Sequence, residues 1–194
     1  MNIGIDIDNT ISTTRETIFA FANKYNRENC LPNQFDLAHY ALEKSLGWDR
    51  PTSQAFLRTH LADIYRQVLP KPQAVEIIRE LHQENRIILI TSRNQRDEAV
   101  ATVTREWLEL HQIEYDKLIM NNTDNMHHYS KLADCLDNGV ELMIEDHHDL
   151  AWELSSYFPV VLFDYPYNAH LQHDNIIRVQ SWPEVRQAVN QIIG

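Results

Sequence analysis

A chain of 194 residues with 17 Lys and Arg against 28 Asp and Glu has a formal charge of −11 and no basic run, which sets aside long nucleic acids as partners. The length suits one domain with a sizeable insertion, and no apolar run approaches the roughly 18 residues of a membrane span. The N-terminus enters a strand without the basic-then-apolar order of a signal peptide, and Cys30 and Cys135 lie far apart without metal-ligand spacing, so a cytoplasmic protein with reduced thiols is expected.

The first strand runs from Met1 to Ile7, with Ile3, Ile5 and Ile7 alternating against Gly4, Asp6 and Asp8. Alternation puts Asp6 and Asp8 on one face, about 6.5 Å apart along the strand. Such a strand is normally buried, and two unpaired acids there are costly. A bound cation and an anionic substrate would offset that cost; the alternative is an exposed strand end with solvated acids. Residues 12–69 then read as helical, without a strand. Thr14 to Asn26 carries Ile18, Phe21, Ala22 and Tyr25 at helical spacing, and Ser53 to Val68 carries Phe56, Leu57, Leu61, Ile64, Tyr65 and Val68. Leu31 to Asn33 and Trp48 to Thr52 are turn-rich breaks, with Thr52 or Ser53 expected as a helix cap.

Beyond Pro72 helix and strand alternate. Helices are expected over Gln73 to Glu84, from Thr91-Ser92-Arg93 to about Leu110, over Ser130 to Leu136, Leu150 to Tyr157 and Trp182 to Ile193. Strands are expected over Ile87 to Ile90, Tyr115 to Met120, Val140 to Ile144, Val160 to Phe163 and Ile176 to Val179. This rhythm predicts an α/β fold, a mostly parallel sheet with helices on both faces. Ligands bind at the carboxyl ends of such strands, and three strands end in polar clusters: Asp6 and Asp8, Thr91 to Arg93, and Glu145 with Asp146.

Asp6, Asp8 and Asp146 form a hard oxygen set of few charges, better suited to Mg²⁺ than to Ca²⁺, and Mg²⁺ serves phosphate chemistry. Thr91 and Ser92, placed where a strand meets a helix, offer hydroxyls and free N–H groups to a phosphate; for Ser92 a plain helix cap is the alternative. Lys131, opening the helix before Glu145-Asp146, is preferred to Lys117 as the lysine pairing with nucleophile and phosphate. Arg93, nearer the edge, is preferred to Arg96 for steadying a phosphate.

These motifs resemble, in order, the four of the haloacid dehalogenase (HAD) superfamily: Asp6-Ile7-Asp8-Asn9-Thr10, Thr91-Ser92-Arg93, Lys131, and Glu145-Asp146. The resemblance implies a Rossmannoid three-layer core over 1–11 and 70–194, with a helical cap, 12–69, inserted after the first strand. Within the superfamily, Leu162 to Asn168 and Arg178 to Trp182 are similar to the deoxyribonucleotidase-type 5′-nucleotidases and their bacterial relatives. Asn9 stands where the superfamily usually has Gly, and Asn tolerates the positive φ of that turn. The Glu145-Asp146 pair leaves Asp146 as the metal ligand and Glu145 without an assigned role.

The resemblance implies a Mg²⁺-dependent phosphomonoester hydrolase acting through an aspartyl-phosphate, with a small phosphorylated substrate, a nucleotide or else a sugar phosphate. Asp6 is then the nucleophile and Asp8 the proton donor. Asp6, the Asp8 carbonyl and Asp146 hold the metal, while Thr91, Ser92, Arg93 and Lys131 face the phosphate. A catalytically idle phospholigand-binding domain is the reading of a different class. His127-His128 and His147-His148 invite a transition-metal site, though neighbouring histidines rarely ligate one ion. Asp149 suits either a metal-bound water or a helix dipole, and Phe35, Tyr40 and Trp48 are either base-stacking groups or packing anchors.

Overall fold

A computed structural model describes residues 1–123 and 129–194. Among the described residues, strands β1 (Asn2–Ile5), β2 (Arg86–Asn94), β3 (Lys117–Asn121), β4 (Leu142–Glu145), β5 (Val160–Phe163) and β6 (Ile176–Val179) form one sheet, ordered β3-β2-β1-β4-β5-β6. Every pairing is parallel. Ile3, Ile5, Ile87 to Ile90, Leu142 to Ile144 and Val160 to Leu162 are all fully buried, as strands covered on both faces must be. Strand order reverses between β1 and β4, and that reversal opens the crevice where such sheets take ligands.

Helices α1 (Thr14–Glu28), α2 (Leu42–Leu46) and α3 (Arg50–Gln67) lie between β1 and α4 (Ala74–His82). The later crossovers carry α5 (Glu98–Leu110), α6 (Lys131–Asp137) and α7 (His148–Ser155), and α8 (Trp182–Ile193) closes the chain. No described helix is long and apolar enough to cross a membrane.

The two passages between sheet and helices run side by side. Thr13 N donates to Leu69 O (2.9 Å), and Lys71 N to Ile11 O (2.7 Å). Trp107 Nε1 of α5 donates to Val68 O (2.8 Å), and Trp182 Nε1 of α8 to Thr10 O (3.1 Å). One apolar cluster joins Ile3, Ile5 and Ile144 of the sheet to Ala22, Phe56 and Ile64 of α1 and α3.

Three local expectations differ, and one short helix, α2, is unexpected. Strand β1 ends at Ile5, because Asp6 N makes the last rung to Ile144 O (3.0 Å) and the chain then turns back, with Ile11 N and Ser12 N both on Ile7 O. Asp6 and Asp8 therefore do not alternate along a strand. Helix α3 starts at Arg50 under Asp49, which accepts from Thr52 N; Pro51 suits the first turn, where no N–H is needed, so Thr52 and Ser53 lie inside the helix. Helix α2, too short to show a period, ends on Gly47 at φ 63°. Strand β2 continues to Asn94, and α5 begins only at Glu98 under the cap Asp97. Thr91, Ser92 and Arg93 thus belong to the strand, and Ser92 caps no helix.

Trp182 is fully buried against Phe163 as well as holding Thr10. Trp182→Ala is expected to lower unfolding free energy by about 3–5 kcal/mol, read from the urea midpoint.

Candidate active site

Parallel neighbours β1 and β4 end side by side, which brings Asp6, Glu145 and Asp146 together. One carboxylate oxygen from each lies within 4.8 Å of the others. All three side chains are buried, and charge on this scale needs a counter-ion. Lys131, at the first position of α6 and 2% exposed, supplies it: Nζ donates to Asp6 Oδ1 (2.5 Å) and Glu145 Oε2 (2.9 Å). Glu145 Oε1 accepts from the backbone N–H of Asp146 and His147. Glu145 thus orients Lys131 with one oxygen and the strand end with the other. Lys117, at the opposite end of β3, donates to Asn138.

Asp146 Oδ2 accepts from Asn9 Nδ2 (3.2 Å) and from the Tyr167 hydroxyl. Asp6 Oδ2 and Asp146 Oδ1 accept no hydrogen bond among the described residues. Two free carboxylate oxygens in a buried acidic cluster suit a hard divalent cation, and a donor set of oxygen alone disfavours softer metals.

Asp8 lies outside that cluster. Its Oδ2 accepts from Arg93 Nε (2.9 Å), and its Oδ1 from Arg93 Nη2 (2.7 Å) and Thr14 Oγ1 (2.6 Å). Arg93 reaches Thr104 through Nη1 (3.3 Å), and its guanidinium lies 3.8 Å from the Tyr65 ring centroid on α3. Expected against a phosphate, Arg93 instead directs its nitrogens to Asp8 and Thr104. Thr91, fully buried beside it, accepts from Arg93 N and keeps its O–H to give; Ser92 is exposed.

The acids therefore differ electrostatically. Burial pushes Asp6 well above the usual carboxylate range, opposed by Lys131 and reinforced by Glu145, Asp146 and Asp8. Burial and then Glu145 push Asp146 up to about 7. Burial acts on Asp8 too, but the Arg93 guanidinium and the Thr14 hydroxyl outweigh it and hold Asp8 below its ordinary value. Lys131 is raised, its two carboxylates outweighing burial.

Among the aromatics, Trp48 is packing: it is 6% exposed, donates to Asn26 Oδ1 (2.8 Å) and lies edge-on to Tyr25 and Phe56. Phe35 rests on Phe19. Tyr40 differs, meeting His147 at 4.2 Å and Tyr167 at 5.3 Å beside Asp146, with 39% of its surface exposed. Asp149 is exposed in the first turn of α7, facing His148. His147 caps that helix and stacks on His148, and among the described residues no histidine joins a metal-ligand cluster. His127 and His128 lie outside the described residues.

Sequence reasoning missed Tyr167, Arg15 and the use made of Asn9. Tyr167 lies in a motif noticed only as a likeness, and Arg15 in an ordinary amphipathic helix. The Arg15 guanidinium donates to His39 O (2.7 Å) and Ser45 Oγ (3.1 Å), holding the loop that carries Tyr40.

Solved structures share this fold at low identity. The haloacid dehalogenase-like family protein SP0104 from Streptococcus pneumoniae matches with TM-score 0.71, 14% identity and 97% of each chain covered. Protein Tyrosine Kinase A from Mycobacterium tuberculosis matches at TM-score 0.68 and 15% identity, again over 97% of each chain. Such likeness carries the fold alone.

Sequence relatives go further. The protein described as "Putative nucleotidase YqfW" of Bacillus subtilis (strain 168) is 30% identical over 192 residues, 98% of this chain and 94% of its own. "Nucleotidase CA_C3379" of Clostridium acetobutylicum is 30% identical over 193 residues, 99% and 95% respectively. Fold, site and relatives together define a HAD-type phosphatase. The chain belongs to the family described as 5′ nucleotidase, deoxy (Pyrimidine), cytosolic type C protein, whose profile matches residues 1–193.

A carboxyl raised by folding favours the folded state while protonated, and loses that advantage as pH rises through its folded-state pKa. For Asp146 the window runs from the ordinary carboxylate range up to about 7, and Asp6 acts in the same direction. In EDTA the melting temperature is therefore expected to fall as pH is raised from about 6 to about 8; a flat or rising profile would contradict this electrostatic account.

Proposed function

We propose that this enzyme hydrolyses nucleoside monophosphates, with deoxynucleotides preferred, through an aspartyl-phosphate on Asp6. The observation that carries the reading is the cluster at the reversal point of the sheet. There Asp6 keeps one free oxygen beside Lys131 and Asp146, with Asp8 held separately by Arg93.

Asp6, the Asp8 backbone carbonyl and Asp146 would hold Mg²⁺, which supplies positive charge against the transferring phosphoryl group. Thr91 and Lys131 direct O–H and N–H donors at its oxygens. Asp6 attacks phosphorus as the bond to the leaving oxygen breaks, and Asp8 delivers a proton to that oxygen. Both Asp8 oxygens accept hydrogen bonds at rest, so Asp8 must leave Arg93 and take up a proton from solvent before it can deliver one to the leaving oxygen; in later turnovers the second step supplies that proton. In the second step water gives its proton to Asp8 and attacks phosphorus, breaking the bond to Asp6 and releasing phosphate. Arg93 and Thr14 hold the ionised Asp8 that this second step requires.

We take residues 12–69 as the cap over a core of 1–11 and 70–194, and Tyr40 as the cap side chain that meets the nucleoside. The formal charge of −11 supports a small phosphorylated substrate over a polymer. Unpaired Cys30 and Cys135 support a cytoplasmic setting.

Phosphate release from nucleoside and sugar monophosphates, with Mg²⁺ or EDTA, tests the reading. Turnover is expected only with Mg²⁺ and preferentially on deoxynucleotides; activity confined to sugar phosphates would discard the nucleotide assignment. Asp6→Asn is expected to lower kcat by at least ~10³, and near-normal turnover in that variant would rule out the covalent route. Tyr40→Ala is expected to raise KM for nucleotides roughly tenfold, with a smaller effect on an aryl phosphate lacking the sugar and base, as fits a stacking contact of about 1–3 kcal/mol.

A further inference from the structure

Asp146 is held unusually completely for a residue that must also bind a cation. The Tyr167 hydroxyl and Asn9 Nδ2 both donate to Oδ2, and Asn168 Nδ2 donates to the Asp146 backbone carbonyl (2.7 Å). These contacts come from two separate stretches of chain. Asn9 belongs to the loop after β1, while Tyr167 and Asn168 form a short 3₁₀ turn, Pro166–Asn168, after β5.

Each stretch is itself fixed. Asn9 sits at φ 61°, a conformation Asn accepts, and its Oδ1 takes the backbone N–H of Arg15 (2.8 Å). A glycine would make the same turn but would offer Asp146 nothing. The Asn168 side chain donates also to Phe163 O (2.8 Å) and accepts from Tyr165 N, and Arg178 on β6 donates to its Oδ1 (2.8 Å). Tyr167 is 3% exposed, stacks on Tyr165 at 5.0 Å, and lies under the Arg15 guanidinium at 4.9 Å. A phenol buried to that degree needs a protein partner, and Asp146 is that partner.

We propose that Tyr167 and Asn9 are positioning residues for the metal site: by occupying Asp146 Oδ2 they stop the carboxylate turning and leave Oδ1 as its single ligating oxygen. The proposal rests on the metal site proposed above. Partners of this kind, behind a ligand, commonly contribute ten- to hundredfold to metal affinity. It also gives the Leu162 to Asn168 motif a chemical purpose: the turn carries no reacting group, yet it sets the aim of one.

Calorimetric titration of Mg²⁺ into the wild type, Tyr167→Phe and Asn9→Gly tests it. Phe keeps the stacked ring and removes only the hydroxyl; Gly keeps the turn and removes the amide, with its bonds to both Asp146 and Arg15 N. Each variant is expected to bind Mg²⁺ about tenfold or more weakly. Each should also need correspondingly more Mg²⁺ for half-maximal rate, while reaching a plateau rate within about threefold of wild type at saturating metal. Unchanged Mg²⁺ affinity in the variants overturns the proposal, as does a collapsed plateau rate without an affinity change. If Tyr167→Phe does not fold, Asn9→Gly decides alone. A wild type that binds no Mg²⁺ overturns the metal site itself, and is told apart by the wild-type titration before any variant is compared.

Discussion

The site depends on one ammonium group. Asp6, Glu145 and Asp146 are drawn within 4.8 Å by the pairing of β1 with β4, and each is buried. Three negative charges in such a volume repel one another and have lost most of their hydration, so the strand ends would splay or the acids would take up protons. Lys131 bridges Asp6 and Glu145, which accounts for a lysine almost wholly out of water at the first position of a helix. Lys131 leaves Asp146 unbridged. That residue is pushed up to about 7, and there the remaining demand for positive charge is concentrated.

Sheet topology converts this local balance into a site. The reversal of strand order at β1 and β4 leaves a crevice at their carboxyl ends, and Tyr40 and Tyr65 of the segment between β1 and α4 meet His147, Tyr167 and Arg93 there. The two passages of chain are bonded to each other, and indole N–H groups of α5 and α8 hold their carbonyls. Arg15 extends the same control to the loop that carries Tyr40. Tyr40, which meets His147 and Tyr167 beside Asp146, is thus positioned from α1, the helix that follows the loop carrying Asp8.

Much of this was legible in the chain because its signals are local. The continuous apolar runs at Ile87 to Ile90 and Val160 to Phe163, bounded by turns and too short for helices, read as buried parallel strands, and acids at their neighbours' ends mark the ligand edge. Where expectation failed, a longer-range bond had intervened. Thr91 to Arg93 resembled a helix start, yet β3 extends β2 by pairing with Thr91 and Asn94. Arg93 looked like a phosphate ligand because its partner, Asp8, lies 85 residues earlier in the chain. Tyr167 carried no chemical signal of its own, since a tyrosine at a turn is usually packing, and only the fold brings its hydroxyl to Asp146.

Asp6 and Asp8, two residues apart, show how sharply a fold can divide one residue type. Had β1 continued through Ile7, both would have faced one way into one environment. The strand instead ends at Ile5, and the chain turns between them. Asp6 enters the acidic cluster and is raised by burial, whereas Asp8 swings to Arg93 and is lowered. Paired acids with opposed environments are the usual physical basis for separate catalytic roles. Under the proposed mechanism, a cation beside Asp6 and Asp146 would offset the burial that raises both carboxyls, favouring the ionised Asp6 that acts as nucleophile. Arg93 meanwhile keeps the Asp8 carboxylate from competing for that cation and pairs with the ionised form that remains once its proton is delivered. Arg93 also lies against Tyr65 of α3, so Asp8 is held from β2 directly, from α1 through Thr14, and from α3 through the face of Arg93.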